Sequence, residues 1–222
     1  MTPALKTMLA VTFAAGLSAC GPLNDNDQGA GALKLAAQSL SIPGRAAAPE
    51  EPPMVVSRAM IDQLPGDVLV VEAYDGTSRA VMVPAAINLN RVTWISEDSV
   101  SIVTENGIVI ATRGFPRDLM AASVIESRRA LAAGGGTAER THETLSDMDQ
   151  ISTEVLQCSI NFIGTETISI VERPLSTQRY EENCENENIS FSNTYWLNES
   201  GEIVRSRQAI SPELGYLVLD RP

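Results

Sequence analysis

"DVLVVEAYDGTSRAVMVP", positions 67–84, reads as a β-hairpin. Two apolar, β-branched runs flank Asp75-Gly76. Asp-Gly is among the strongest two-residue hairpin signals, because both central positions of the turn need positive φ. Outward from this hairpin, "RVTWI" (91–95) is a further strand, and "SVSIVT" and "IVIAT" flank Glu105-Asn106-Gly107, a second hairpin signal. Four or five antiparallel strands are therefore expected over 67–112. Residues 116–134 change period: Asp118 can cap a helix, Leu119, Ala122, Ile125 and Leu131 fall on one side, and three glycines at 134–136 end the run. The polar stretch 137–149 reads as a loop. Strands return at 152–164, 167–172, 177–184, 189–197, 202–210 and 215–219. The fold class expected is mainly β, with about ten strands and one helix in a single antiparallel barrel or sandwich-like domain, since sheets this large must hide their edges.

The chain start is a different kind of sequence. Lys6, an apolar run from 8 to 17, and the small residues Ser18 and Ala19 before Cys20 have the layout of a secretory signal. The run is too short to span a bilayer. Leu17-Ser18-Ala19-Cys20 resembles a bacterial lipobox, in which the cysteine becomes the acylated first residue. An ordinary secretory cleavage is the alternative. Gly21, where an Asp would signal retention, implies export to the outer membrane, with the protein anchored there by lipid and facing the periplasm. Residues 1–19 are thus expected to be removed, 20–60, rich in Gly, Ala, Asn and Pro, to form a flexible tether, and 61–222 to form the β domain.

With Cys20 acylated, two of the three cysteines remain, Cys158 and Cys184. In an oxidising compartment a disulfide is the economical reading; a redox pair is the alternative, without a C-x-x-C arrangement to support it. The formal net charge is −12, and removal of residues 1–19 takes away Lys6 and no acid. Such a chain repels nucleic acid, whose binding rests on neutralising phosphates.

No catalytic, cofactor or metal motif emerges. The one histidine, His142, lies in the expected polar loop, and "AAGGGTAE" lacks the Lys-Ser/Thr of a phosphate loop. Glu181, Glu182, Glu185 and Glu187 surround Cys184 in "RYEENCENEN". They are either a solvated loop or a pair of acids facing each other across a glycan cleft. In "EIVRSRQAI" the period of two puts Arg205 and Arg207 on one face. Cross-strand ion pairing and contact with an anionic glycan or partner both fit them. Arg113 and Asp118 could meet across a turn. Trp94 and Trp196 sit in strands, as core or as sugar platforms. Arg205, Arg207, Tyr195 and Trp196 are the candidate binding surface.

"TRGFPRDLM" (112–120), the cysteine pair with "EENC", and above all "SNTYWLNESGEIVRSRQAISPELGYL" (192–217) resemble the group 4 capsule polysaccharide lipoproteins of the YjbF/GfcB family. The likeness spans about 55–222, through Tyr-Trp, Ser-Arg-Gln and Leu-Gly-Tyr at matching spacing. It departs from the family pattern at Ala209, where Trp is expected, and at Phe115-Pro116, where Leu-Gly is more frequent. The resemblance implies an outer-membrane lipoprotein of β architecture, associated with production or export of exopolysaccharide or capsule, with no catalytic motif and no cofactor. The expected role is a non-enzymatic accessory factor whose partners are polysaccharide-export proteins or an anionic glycan; the alternatives are a polysaccharide-modifying hydrolase or lyase and a general envelope assembly factor.

If Cys20 carries the anchor, Cys20→Ser moves the protein from the membrane to the soluble fraction or leaves an unprocessed precursor. Fractionation and precursor mobility check this, and unchanged membrane recovery and processing refute it.

Overall fold

The computed structural model describes residues 54–145, 148 and 150–222; Cys20, the 1–19 signal and the tether up to residue 53 lie outside them. The described residues form twelve strands: β1 (Leu69–Ala73), β2 (Ser78–Asn88), β3 (Arg91–Ile95), β4 (Ser101–Glu105), β5 (Ile108–Arg113), β6 (Leu119–Ser123), β7 (Gly136–Leu145), β8 (Ile151–Ile170), β9 (Arg173–Glu185), β10 (Ser190–Leu197), β11 (Ile203–Ser211) and β12 (Gly215–Asp220). Two helices accompany them, α1 (Arg58–Ile61) and α2 (Ile125–Ala132). The strands make one antiparallel sheet in the order β5-β4-β3-β2-β1-β12-β11-β10-β9-β8-β7-β6, curled into a nearly closed barrel. Successive strands are neighbours, and the first and last also pair, Val70 of β1 with Asp220 of β12.

Both hairpin signals in the first half sit at turns. Asp75 and Gly76 have φ of 52° and 86°, and Asn106 and Gly107 have 49° and 86°. Tyr74 joins the first turn, at φ 51°. The second half differs in one connection. Strands expected at 152–164 and 167–172 are one twenty-residue strand, β8, whose register slips between Phe162 and Gly164. Val171 and Glu172, both at positive φ, make the tight turn into β9.

Two expectations between 116 and 149 are corrected. Residues 119–123 are strand β6, and helix α2 begins only at Ile125. Asp118 does not cap that helix: its carboxylate accepts from Thr112 Oγ1 (2.8 Å), Gly114 N (2.9 Å) and Phe115 N (3.2 Å), which folds the chain back from β5. Arg113 does not pair with it either. It donates to the carbonyls of Leu119 (3.2 Å) and Met120 (3.3 Å), while Leu119 N donates to Thr112 Oγ1 (3.0 Å). These side chains bridge the seam between β5 and β6, where no ladder joins the two strands. They hold 119–123 extended, and β7 pairs the other edge from Leu119↔Thr144 to Ser123↔Thr141. The stretch 137–149 is accordingly not a loop but mostly β7, which runs to Leu145 and pairs β8 along its whole length.

The barrel is filled. One core cluster gathers Leu69, Val71, Met82, Trp94, Ile102, Leu119 and Leu217; a second gathers α2 residues Ala130 and Leu131 with Leu156, Ile160, Tyr195 and Leu197. Strand β5 runs between them, with Ile108 and Ile110 in one and Val109 in the other. Gln208 of β11 pins it there. Gln208 Oε1 accepts from Val109 N (2.9 Å), and Nε2 donates to Gly107 O (3.0 Å) and Ser206 Oγ (2.8 Å). Gly107 is required at this approach: a Cβ would stand 2.9 Å from that of Ile203, at a φ that disfavours side chains in any case. Along β8 the outward positions Thr153, Gln157, Ser159 and Asn161 are polar, with exposed Ile151 and Val155 on the same face.

Packing of the domain begins before position 61. Ser57 Oγ accepts from Met60 N (3.3 Å) to start α1, and Val56 and Ile61 pack on Val68 and Val70, on the outside of β1. Across the sheet, Cys158 and Cys184 are paired residues of β8 and β9, both buried and joined by a disulfide. Closing a loop of this length stabilises by about 3–4 kcal/mol in the chain-entropy model.

Replacing Gln208 by leucine keeps the volume but leaves Val109 N–H and Gly107 C=O unpaired in the interior. At about 1–3 kcal/mol for each buried unsatisfied group, Gln208→Leu is expected to cost about 2–6 kcal/mol. Urea denaturation of the variant beside the parent chain measures it, and an unchanged midpoint refutes the role of this residue.

Candidate functional site

On β9 the period of two separates the acids that the sequence clusters. Glu182 points inward and is 0% exposed; Glu181 and Glu185 face outward, and Glu187 is in the exposed turn that follows. The expectation of a wholly solvated acidic loop is thus corrected. The run 181–185 is strand because β8 pairs it on one edge and β10 on the other. Glu182 Oε2 accepts from Arg140 Nη1 of β7 (2.6 Å), Tyr195 OH (2.7 Å) and Asn193 Nδ2 (2.8 Å) of β10. Asn193 Oδ1 in turn accepts from Ala209 N (2.8 Å), tying the cluster to β11.

The electrostatics follow from this sealing. Burial pushes the Glu182 carboxyl up, but the Arg140 charge, with hydrogen bonds from Asn193 and Tyr195 and the nearby Ser127 hydroxyl, outweighs it and holds the group below the usual carboxylate range. The Tyr195 phenol is raised well above its ordinary value, by burial first and then by the adjacent carboxylate. A buried ion pair of this kind gains little net stability over an apolar filling, but removing one partner is costly. The Cys158 and Cys184 sulfurs lie within 4.8 Å of the same carboxylate. Bonded to each other, they are not free to ligate a metal.

His142 is the second correction. It stands on β7, not in a loop, buried and stacked on Phe191 with ring centroids 5.2 Å apart. Burial, and then the Arg140 charge, lower its pKa to about 3, against a smaller opposing effect of Glu182.

The four residues read as a binding surface are divided by the sheet. Tyr195 is wholly buried and belongs to the interior cluster, while its neighbour Trp196 faces outward. Arg205 grips Asp220 with two bonds, Nε to Oδ1 at 2.5 Å and Nη2 to Oδ2 at 2.7 Å. The far part of the β8–β9 hairpin folds over this row: Glu166 Oε1 accepts from Trp196 Nε1 (2.7 Å), Ser169 O accepts from Arg205 Nη2 (3.1 Å), and Val171 packs on the cluster around Val70. Arg207 lies beyond the arm. Its guanidinium stacks 3.4 Å from the centre of the Tyr216 ring, and it makes no ion pair among the described residues. Trp94 is core, with Nε1 donating to Thr104 Oγ1 (3.0 Å).

Sequence reasoning missed Arg140, Asn193 and Gln208 as structural centres. For Glu182 a signal was present: it lies two residues from Cys184, so a strand that buries the disulfide buries Glu182 with it.

A depressed histidine pKa has a definite sign. Below pH 6.5 the unfolded chain takes a proton on His142 that the folded chain refuses until about pH 3, so stability falls as pH drops through that window. Between pH 7.5 and 5.5 the parent chain is expected to lose about 1.4 kcal/mol more than His142→Phe, which keeps the ring stack. Urea midpoints at the two pH values measure the difference, and parallel losses refute it.

Known proteins resemble the whole of this architecture. The uncharacterized lipoprotein GfcB of Escherichia coli K12 is 24% identical over 165 residues, covering 71% of this chain and 76% of GfcB. The crystal structure of the hypothetical lipoprotein YmcC from E. coli K12 superposes with a TM-score of 0.67 at 22% identity, covering 75% of this chain and 88% of YmcC. The family model described as group 4 capsule polysaccharide lipoprotein gfcB, YjbF matches residues 32–221, and the chain belongs to that family.

Proposed function

We propose that this chain is a lipid-anchored, non-enzymatic accessory factor in the assembly or secretion of exopolysaccharide or capsule, held at the outer membrane by Cys20 and facing the periplasm. Family membership supports the capsule connection. The disposition of the carboxylates on β9 carries the non-enzymatic part. Glycan hydrolysis needs two acids on either side of one bond. Here Glu182 is shut inside the barrel on Arg140, and Glu181 and Glu185 look outward from the opposite face. They cannot flank a common substrate.

The contact surface of this factor is the outer face of β10–β12 beyond the arm, where Arg207 and Tyr216 stand together. Arg205 is a structural residue in this reading, because its guanidinium is already taken by Asp220. Arg207 keeps donors for a carboxylate of a partner protein or an anionic glycan.

Arg207→Glu is expected to lower exopolysaccharide output severalfold in cells, with the protein still folded and membrane-bound. Combined Glu181→Gln, Glu185→Gln and Glu187→Gln leave output unchanged. Polysaccharide yield per cell and the thermal midpoint of each purified variant check both. Depolymerisation of an extracellular polysaccharide by the purified protein overturns the accessory reading.

A further inference from the structure

One end of the barrel carries apolar side chains that no described residue covers. The β2–β3 hairpin runs past the start of β1, whose pairing with β2 begins at Leu69↔Met82, and its tip is Ile87-Asn88-Leu89-Asn90. Ile87 is 66% exposed and Leu89 94%. Leu89 also sits at φ 55°, a left-handed turn position that Asn, Asp or Gly occupies at less cost. A leucine that is strained and almost wholly exposed gains little for the fold. Ile87 and Leu89 form the rim of a groove of about 180 Å³ that Pro84, Val92, Trp94 and Ile203 also line.

Charge at this end departs from the acidic whole. Arg221 lines the same groove, Arg128 and Arg129 line its neighbour beside α2, and Arg91 follows the tip. Glu105 is shared by Arg91 (2.8 Å) and Arg128 (2.5 Å), and Asp67 stands in the groove, so the four arginines outnumber these two acids. Apolar side chains ringed by arginines match an anionic lipid surface, with hydrocarbon beneath and phosphate above. The chain also enters β1 from this end, through Asp67.

We propose that the β2–β3 tip is a membrane-contact element that inserts Ile87 and Leu89 into the headgroup–acyl boundary and sets this end of the barrel against an anionic lipid leaflet. The contact is independent of acylation, and therefore testable apart from the anchor and from the accessory function.

The test uses the full mature chain with Cys20→Ser, sedimented with vesicles of phosphatidylethanolamine and phosphatidylglycerol. The expected result is salt-sensitive binding that Ile87→Asp with Leu89→Asp weakens at least about tenfold, and that falls when phosphatidylcholine replaces phosphatidylglycerol. Both positions are exposed and aspartate tolerates the turn, so an unchanged thermal midpoint accompanies the loss. A Leu89→Trp variant is expected to show a blue-shifted emission on binding, quenched by brominated acyl chains. Absence of vesicle binding by the parent, full binding by the double aspartate variant, or an emission from the Leu89→Trp variant that vesicles neither shift nor quench overturns the proposal. So does an oligomer that the double variant dissociates while vesicle binding persists.

Discussion

The barrel depends on how strand β5 is held. It ends the sheet, lies between the two cores, and buries side chains from both faces, so its free edge needs hydrogen-bond partners inside the protein. Gln208 supplies two of them from the opposite wall, to Val109 N and Gly107 O, and Thr112 and Arg113 reach across to β6 at the other end. Five side-chain hydrogen bonds thus replace a ladder. The sheet can close around two packed cores without leaving an open edge to recruit another chain.

The second constraint is the charge sealed within β7–β10. Arg140, Glu182, Tyr195 and Asn193 form one network around a single carboxylate oxygen. An apolar filling would serve stability as well, and a one-residue slip of β9 would instead put Glu182 in water and Glu181 inside with no arginine opposite. The network penalises wrong registers of these strands. The disulfide between Cys158 and Cys184 locks the same register covalently, one step along the same face.

The long β8–β9 hairpin has a different role. Bent at Gly164, it crosses the outer face of β10–β12 and covers Trp196, Arg205 and Val70. Residues that read as an exposed platform are therefore parts of an internal contact between arm and barrel. Arg207 on Tyr216 is left outside, and that difference separates a structural arginine from an available one on a single strand.

Much of this fold was legible locally. Asp75-Gly76 and Asn106-Gly107 specify turns by backbone conformation alone, and alternation along "VLVVEA" and "EIVRSRQAI" needs no partner to be read. The cysteine pairing follows from number and compartment, and the family from the run at 192–217. Alternation also says that Tyr195 and Trp196, or Glu181 and Glu182, point opposite ways. It does not say which way is in, because the inside exists only once the sheet has curled. That step buried Glu182 and His142, covered Trp196 with the arm, and drew residues 119–123 out of a helical pattern into β6. Partners far along the chain outweighed local preference: Arg140 lies 42 residues from Glu182, and Glu166 lies 30 from Trp196. Strand, turn and alternation belong to neighbours in sequence; inside, outside and register belong to the closed barrel, where a buried polar group such as the Glu182 carboxylate finds its partners on other strands.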